Sequence, residues 1–483
     1  MRLSTARFSS QNISLSNKLG EVGSISCLFL CLVRHKIIRK LAFIDQSVRM
    51  KVGLLSSEKW DALMTDFKQY IKNISHVDFM LQPLNEVDIA VMVEMVYLKL
   101  DDYVSHVISE SKAISVMDFY QQFAQDKKEI QEENPFLISK GRLEVAKAAA
   151  QASRYRNIQI FGFQSDLDLK LEKQFAAATF YIPEVNTYLV VFRGTDETIV
   201  GWKEDFNMSH QTQVPAQDAA REYLTKVMTE FDGQYIIAGH SKGANLAIYA
   251  ASQLDKKLQN QVSAIYAYDG PGYQRDFLET EGYLAIESKI HAFQPEDAVV
   301  SQILFHTVQA KVVACKGISM MQHLLENWQI DKISFKEVES VTPGSQRLQA
   351  TLGQWVDQHS AQELEEFFGA IFGIIEATGI ETLNEIGDNF LMFLISLQRE
   401  IRDTEDSDLL KEGFAQLQAI YKEQGDETNA NFLEVVQGKI DSATSFIKNL
   451  VPDALLPGKS EDKQVEEEGD PQAKSEETDH GAI

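Results

Sequence analysis

The sequence predicts an α/β protein, a mostly parallel sheet flanked by helices, with helical additions at both ends. Three observations predict it. Short apolar runs alternate with amphipathic stretches between residues 188 and 315, the pattern of strand and helix in turn. The run Tyr188-Leu189-Val190-Val191-Phe192 has no charged position, as expected of a strand covered on both faces. The pentapeptide Gly239-His240-Ser241-Lys242-Gly243 stands between an apolar strand and a helix.

The elements follow in order. Residues 57–125 are helical in pattern, with Trp60, Leu63, Met64 and Phe67 at helical spacing, and again Val87, Ile89, Ala90, Val93 and Val96. A further helix is expected over 140–150. Strands are expected at 158–163, 175–181 and 188–192, then a helix at 219–231, a strand at 235–238 and a helix at 244–254. Strands at 264–268, 289–293 and 311–315 complete the sheet, with a helix-like run over 298–305. Beyond Pro343-Gly344 the pattern is helical again. Ser360 and Glu363 form a capping-box pair opening a helix through Leu364, Phe367, Phe368, Ile371 and Ile375, and Gly379 ends it. Apolar helices are expected at 390–397 and 432–450.

Composition narrows the function classes. The 483 residues carry a formal net charge of −25, which disfavours a nucleic-acid partner because no basic footprint exists to meet phosphates. Three cysteines, Cys27, Cys31 and Cys315, give neither a disulfide framework nor a zinc spacing and fit a reducing, cytoplasmic setting. The apolar run at 25–33 is shorter than the ~20 residues that span a bilayer. Basic residues follow it rather than a small-residue cleavage site, so a secretory signal is a poor match. The expected organisation is an extension at 1–49, disordered or preceding a true start at Met50; a domain at 50–345; a helical region at 346–450; and an acidic tail at 451–483. The tail, with Glu466-Glu467-Glu468, has little to bury and should be disordered.

The pentapeptide carries the chemistry. A Gly-x-Ser-x-Gly turn from strand to helix lifts its serine above the sheet at a helix N-terminus, and this nucleophile elbow marks the α/β-hydrolase fold. Small residues at 239 and 243 let the two backbones approach. Ser241 is the expected nucleophile, and it needs a base and a group that orients the base. In this fold these follow in the order serine, acid, histidine. Strand ends offer Asp269 and Asp297 as acids; the downstream histidines are His291, His306, His323, His359 and His480. The expected triad is Ser241, Asp297 and His323, with Asp269 as the alternative acid. The expected oxyanion donors are the backbone N–H groups of Lys242 and Thr195, the latter in the loop Arg193-Gly194-Thr195-Asp196. Arg193 and Asp196 are expected to brace that loop. Lys242 is unusual, since a cation in a first helical turn opposes the helix dipole. It is either a solvated ammonium or a partner for an acid or an anionic substrate group.

Phe192-Arg193-Gly194-Thr195, then 201–206, then Gly-His-Ser-Lys-Gly, together with 268–272 and Gln322-His323…Trp328, resemble the class 3 (fungal-type) lipases. More closely they resemble an uncharacterised bacterial lipase-like family with the same GHSKG motif. The resemblance spans about residues 74–400. It implies an acid in a turn like Asp297-Ala298-Val299, a base shortly before an aromatic residue, as His323 stands before Trp328, and an oxyanion donor at Thr195.

The expected activity is therefore hydrolysis of a carboxylic ester, a small molecule or a lipid, through an acyl-enzyme with no metal or organic cofactor. The expected location is cytoplasmic, with peripheral contact to the inner membrane surface left open. The alternatives are a noncatalytic scaffold for a protein partner, or a thioesterase or peptidase on the same fold.

Overall fold

The apolar runs assemble into one eight-stranded sheet whose strand order follows the chain. A computed structural model describes residues 66–125, 139–317, 321–382 and 407–424. Contacts divide the chain into Met1–Phe432 and Leu433–Ile483, and every described residue lies in the first unit. The expected positions Trp60, Leu63 and Met64, the helices at 390–397 and 432–450, the N-terminal extension and the acidic tail lie outside the described residues.

The stretch 57–125 breaks into separate helices: α1 (Phe67–Ile74), α2 (Glu86–Met95) and α3 (Val116–Phe123). Side-chain caps start each of them: Asp66 accepts from Gln69 N–H, Asn85 and Asp88 form a capping box, and Ser115 accepts from Asp118 N–H. Between α2 and α3 a two-residue strand, β1 (Ile114–Ser115), pairs antiparallel with β2. Helix α4 (Lys140–Gln151) then leads into β2 (Gln159–Asp168), β3 (Lys173–Ile182) and β4 (Thr187–Phe192), which pair antiparallel.

From β4 onward every pairing in the sheet is parallel, through β5 (Gln234–His240), β6 (Val262–Tyr268), β7 (Ile290–Pro295) and β8 (Lys311–Val313). Their connections carry α5 (Ile199–Asn207) and α6 (Pro215–Glu230) before β5, and α7 (Lys242–Ser252) and α8 (Lys256–Gln261) after it. Short helices α9 (Arg275–Leu278) and α10 (Glu281–Ile286) precede β7. The expected helix-like run at 298–305 is instead irregular around one 3-10 turn, Val300–Gln302. A small hairpin, β9 (Ile330–Asp331) and β10 (Ser334–Phe335), follows β8.

Alternation along β4 explains its unbroken apolarity. Leu189 and Val191 pack into a core with α1, α2 and α4, while Val190 and Phe192 pack into a second core with α6 and α7. All six residues of β4 are buried. A third core joins α11 (Pro343–Asp357), α12 (Ala361–Ala377) and α13 (Ser407–Glu423) around Leu352, Trp355, Phe367 and Phe368. The expected capping box at Ser360 and Glu363 opens α12, and Gly379, at φ +75°, follows its end. Phe206, Val299 and Ile303 pack this helical cap onto the sheet domain. Among the described residues no helix is long and apolar enough to cross a membrane.

Candidate active site

Strand register sets the site. Phe192 pairs with Gly239, His240 with Tyr268, and Tyr268 with Phe293, so β4 to β7 end side by side. The residues that follow these ends therefore meet in one crevice at the carboxyl edge, where open α/β sheets bind ligands.

Ser241 is the first residue past β5 and caps α7, with φ 59° and ψ −134°. A non-glycine residue in such a region costs roughly 1–3 kcal/mol and persists only when its surroundings hold it. They do so here by close approach. A Cβ at Gly239 would lie 2.0 Å from Gly243 O, and one at Gly243 would lie 2.1 Å from Phe192 O. Neither glycine has positive φ, so it is lack of bulk rather than backbone freedom that these positions require.

The carboxylate beside His323 is Asp269, the alternative acid, and not Asp297. His323 Nδ1 lies 2.7 Å from Asp269 Oδ2, and the Asp269 side chain is fully buried. Asp297 does not reach the imidazole. Its carboxylate accepts from Thr342 Oγ1 at 3.0 Å, and its N–H donates to Gln322 Oε1. The reason is strand adjacency: Asp269 follows β6, the neighbour of the nucleophile strand, whereas Asp297 follows β7, one strand further away. A second hydrogen bond, from Ser301 N–H to Asp269 Oδ1, fixes the carboxylate.

Sequence reasoning gave no role to His240 or Tyr97. Their hydrogen bonds run in one direction: Gly194 N–H donates to Tyr97 Oη at 3.0 Å, and Tyr97 O–H donates to His240 Nδ1 at 2.8 Å. His240 Nε2–H donates to the His323 carbonyl at 2.7 Å. A carbonyl acceptor requires a proton on Nε2, which leaves Nδ1 to accept. Burial, with the charges of His323 and Arg142 nearby, pushes the His240 pKa well down, so the ring is neutral. The chain ties the loop at Gly194, the turn at His240 and the loop bearing His323 to one another. The His240 and His323 rings are 4.5 Å apart. Tyr97 is 143 residues from His240, and no local signal marks it.

Lys242 is neither solvated nor open to a substrate anion. Its side chain is buried, and Nζ donates to Glu204 Oε2 at 2.9 Å and to Gln174 O at 2.8 Å. Glu204 also accepts from Gln174 N–H and Ala216 N–H. The neighbouring Asp205 Oδ2 accepts the Thr195 hydroxyl at 2.5 Å. Burial raises the Asp205 pKa to about 7, against the lowering effects of Lys242 and the Thr195 bond. The Thr195 hydroxyl is thereby engaged, and Lys242 opens the first turn of α7, whose N–H groups have no acceptor within the helix. Arg193 and Asp196 pair at 3.5 Å, and Asp196 also accepts from Thr198, which braces the loop as expected.

Beside Ser241 and Lys242 lies a cavity of about 70 Å³ walled by Trp202, Phe206, Val299, Ile303, Leu352 and Trp355, among others.

With this geometry in place, one family model matches the chain. Residues 149–373 match the family described as Mbeg1-like. The Mbeg1-like match runs from the end of α4 into α12 and so takes in Thr195, Ser241, Asp269, Asp297 and His323. Solved structures similar to the chain include the native Rhizomucor miehei lipase propeptide complex, at 13% identity and a TM-score of 0.25, covering 39% of this chain and 72% of that one. MDLA from Penicillium cyclopium, in a mutant form, is similar at 14% identity and a TM-score of 0.29, covering 59% and 90%. M37 lipase is similar at 12% identity and a TM-score of 0.28, covering 45% and 70%. Likenesses this remote bear on neither activity nor substrate. No curated protein matches the chain.

Proposed function

We propose that the chain is a serine hydrolase that cleaves a carboxylic ester through an acyl-enzyme. The observation that carries this reading is the strained Ser241 at the head of α7, whose N–H bonds to the carbonyl of Tyr268, the residue before the Asp269 that pairs with His323.

The Ser241 hydroxyl attacks the ester carbonyl while His323 takes its proton. Asp269 holds Nδ1–H, leaves Nε2 as the basic nitrogen and stabilises the imidazolium. The backbone N–H groups of Thr195 and Lys242 receive the oxyanion, with the α7 dipole favouring the charge. As the carbonyl reforms, the C–O bond to the alcohol breaks and His323 returns the proton to the leaving alkoxide. Water then attacks the acyl-enzyme by the same route, releasing the acid and restoring Ser241.

The test is labelling of the full chain by a fluorophosphonate, with Ser241→Ala, His323→Ala and Asp269→Asn beside it. The expected result is labelling that vanishes in the first and slows strongly in the other two. An unlabelled, cooperatively folded wild type would overturn the reading.

A further inference from the structure

We infer that the acyl group of the substrate is short, and that the helical cap sets this limit. The inference rests on the ester-hydrolase reading and concerns which ester the site admits.

The cavity beside Ser241, about 70 Å³, is several-fold smaller than the ~300–1,000 Å³ of sites that take drug-sized ligands. The cap walls are packed rather than loose. Trp355 is 1% exposed and meets Phe367 edge-on at 5.1 Å, and Phe206 of α5 lies 4.8 Å from Phe368 of α12.

Both ends of this wall are fastened to the sheet domain. Thr342 and Ser345 bond to Asp297 and to the Ala298 carbonyl at the start of α11. Ile199 N–H donates to Glu381 O beyond α12, and Lys203 pairs with Glu376. Swinging the cap aside for a long chain would return several large apolar side chains to water, each costing about 1.5–3 kcal/mol.

Polar atoms on the same wall point to a short chain independently. Trp202 Nε1 and Trp355 Nε1 are buried with no hydrogen-bond partner among the described residues, whereas Asp205 Oδ1 lies 3.9 Å from Lys242 Nζ. An alkyl chain filling the cavity would leave the two indole N–H groups unpaired, at about 1–3 kcal/mol each. A short ester brings its oxygens, or the hydrolytic water, within a few atoms of them.

The test measures kcat/KM for p-nitrophenyl acetate, butyrate, octanoate and palmitate with the full chain, Leu352→Ala and Val299→Phe. Rates are normalised to the fluorophosphonate-labelled fraction, so that misfolded protein does not count. The wild type should lose at least tenfold from butyrate to octanoate. Leu352→Ala should shift that ratio at least tenfold toward octanoate, and Val299→Phe should confine activity to acetate. A wild type equally fast on octanoate, or ratios unmoved in both variants, overturns the inference and leaves the hydrolase reading intact. Absence of both labelling and hydrolysis overturns the two together.

Discussion

Replacing Lys242 with Met removes the cation from a pair that the structure buries completely, with both side chains at 0% exposure. At 2.9 Å and an effective dielectric constant near 20, the attraction is about 6 kcal/mol before the desolvation of either ion is counted. Breaking a buried pair from one side typically costs about 3–5 kcal/mol, because a charge stays behind without its partner. Glu204 keeps two backbone donors, Gln174 N–H at 2.9 Å and Ala216 N–H at 2.8 Å, so the lower end applies, about 3 kcal/mol. Against a total stability of about 5–15 kcal/mol that is a large loss. Urea unfolding at a slope near 3 kcal/mol/M should then show the midpoint falling by about 1 M. Adding Glu204→Gln removes the stranded charge and should restore at least half of the loss, a coupling of about 1.5 kcal/mol or more. A single variant that loses under about 1 kcal/mol, or a double variant that is merely additive, would refute the argument.

Asp269→Asn should lower kcat by about 10⁴ through a wrongly placed imidazole proton, while Asp297→Asn should change it by less than tenfold; steady-state ester hydrolysis separates the two. Tyr97→Phe keeps the ring but leaves Gly194 N–H and His240 Nδ1 without their partner, so kcat should fall about tenfold with KM little changed. Asp205 titrates near 7 in the folded chain and near 4 when unfolded, so between these values the folded state holds the extra proton. Its contribution to stability therefore falls as pH rises from about 4 to about 7, and Asp205→Asn should gain melting temperature relative to wild type at pH 8 compared with pH 5; parallel shifts would refute this. Gly243→Ala drives a methyl against Phe192 O and should cost about 3 kcal/mol or more, visible as lost soluble protein or a lowered melting temperature.

What the sequence disclosed depended on distance along the chain. The elbow was legible because strand, turn and helix are consecutive, and the Ser360–Glu363 box because its partners are three residues apart. His323, which pairs with Asp269, was reachable as the histidine in the loop after the last parallel strand. The choice between Asp269 and Asp297 as its partner was not, because both follow strands, and only the lateral order of those strands decides which one faces His323. Resemblance favoured the turn at Asp297, yet in this chain that turn fastens the cap through Thr342. The fate of Lys242 was hidden for a similar reason: Glu204 lies 38 residues away, on a helix whose placement only the fold determines.

The one-directional hydrogen-bond chain from Gly194 to His323 also bears on biosynthesis. Its members come from widely separated stretches, with Tyr97 emerging early and His323 late. Because translation proceeds from the N-terminus, a growing chain has Ser241 and Asp269 before His323. Until the loop carrying His323 has docked, His240 lacks its carbonyl acceptor and Asp269 lacks its imidazole partner. Both contacts therefore wait for the segment beyond β8 to be made.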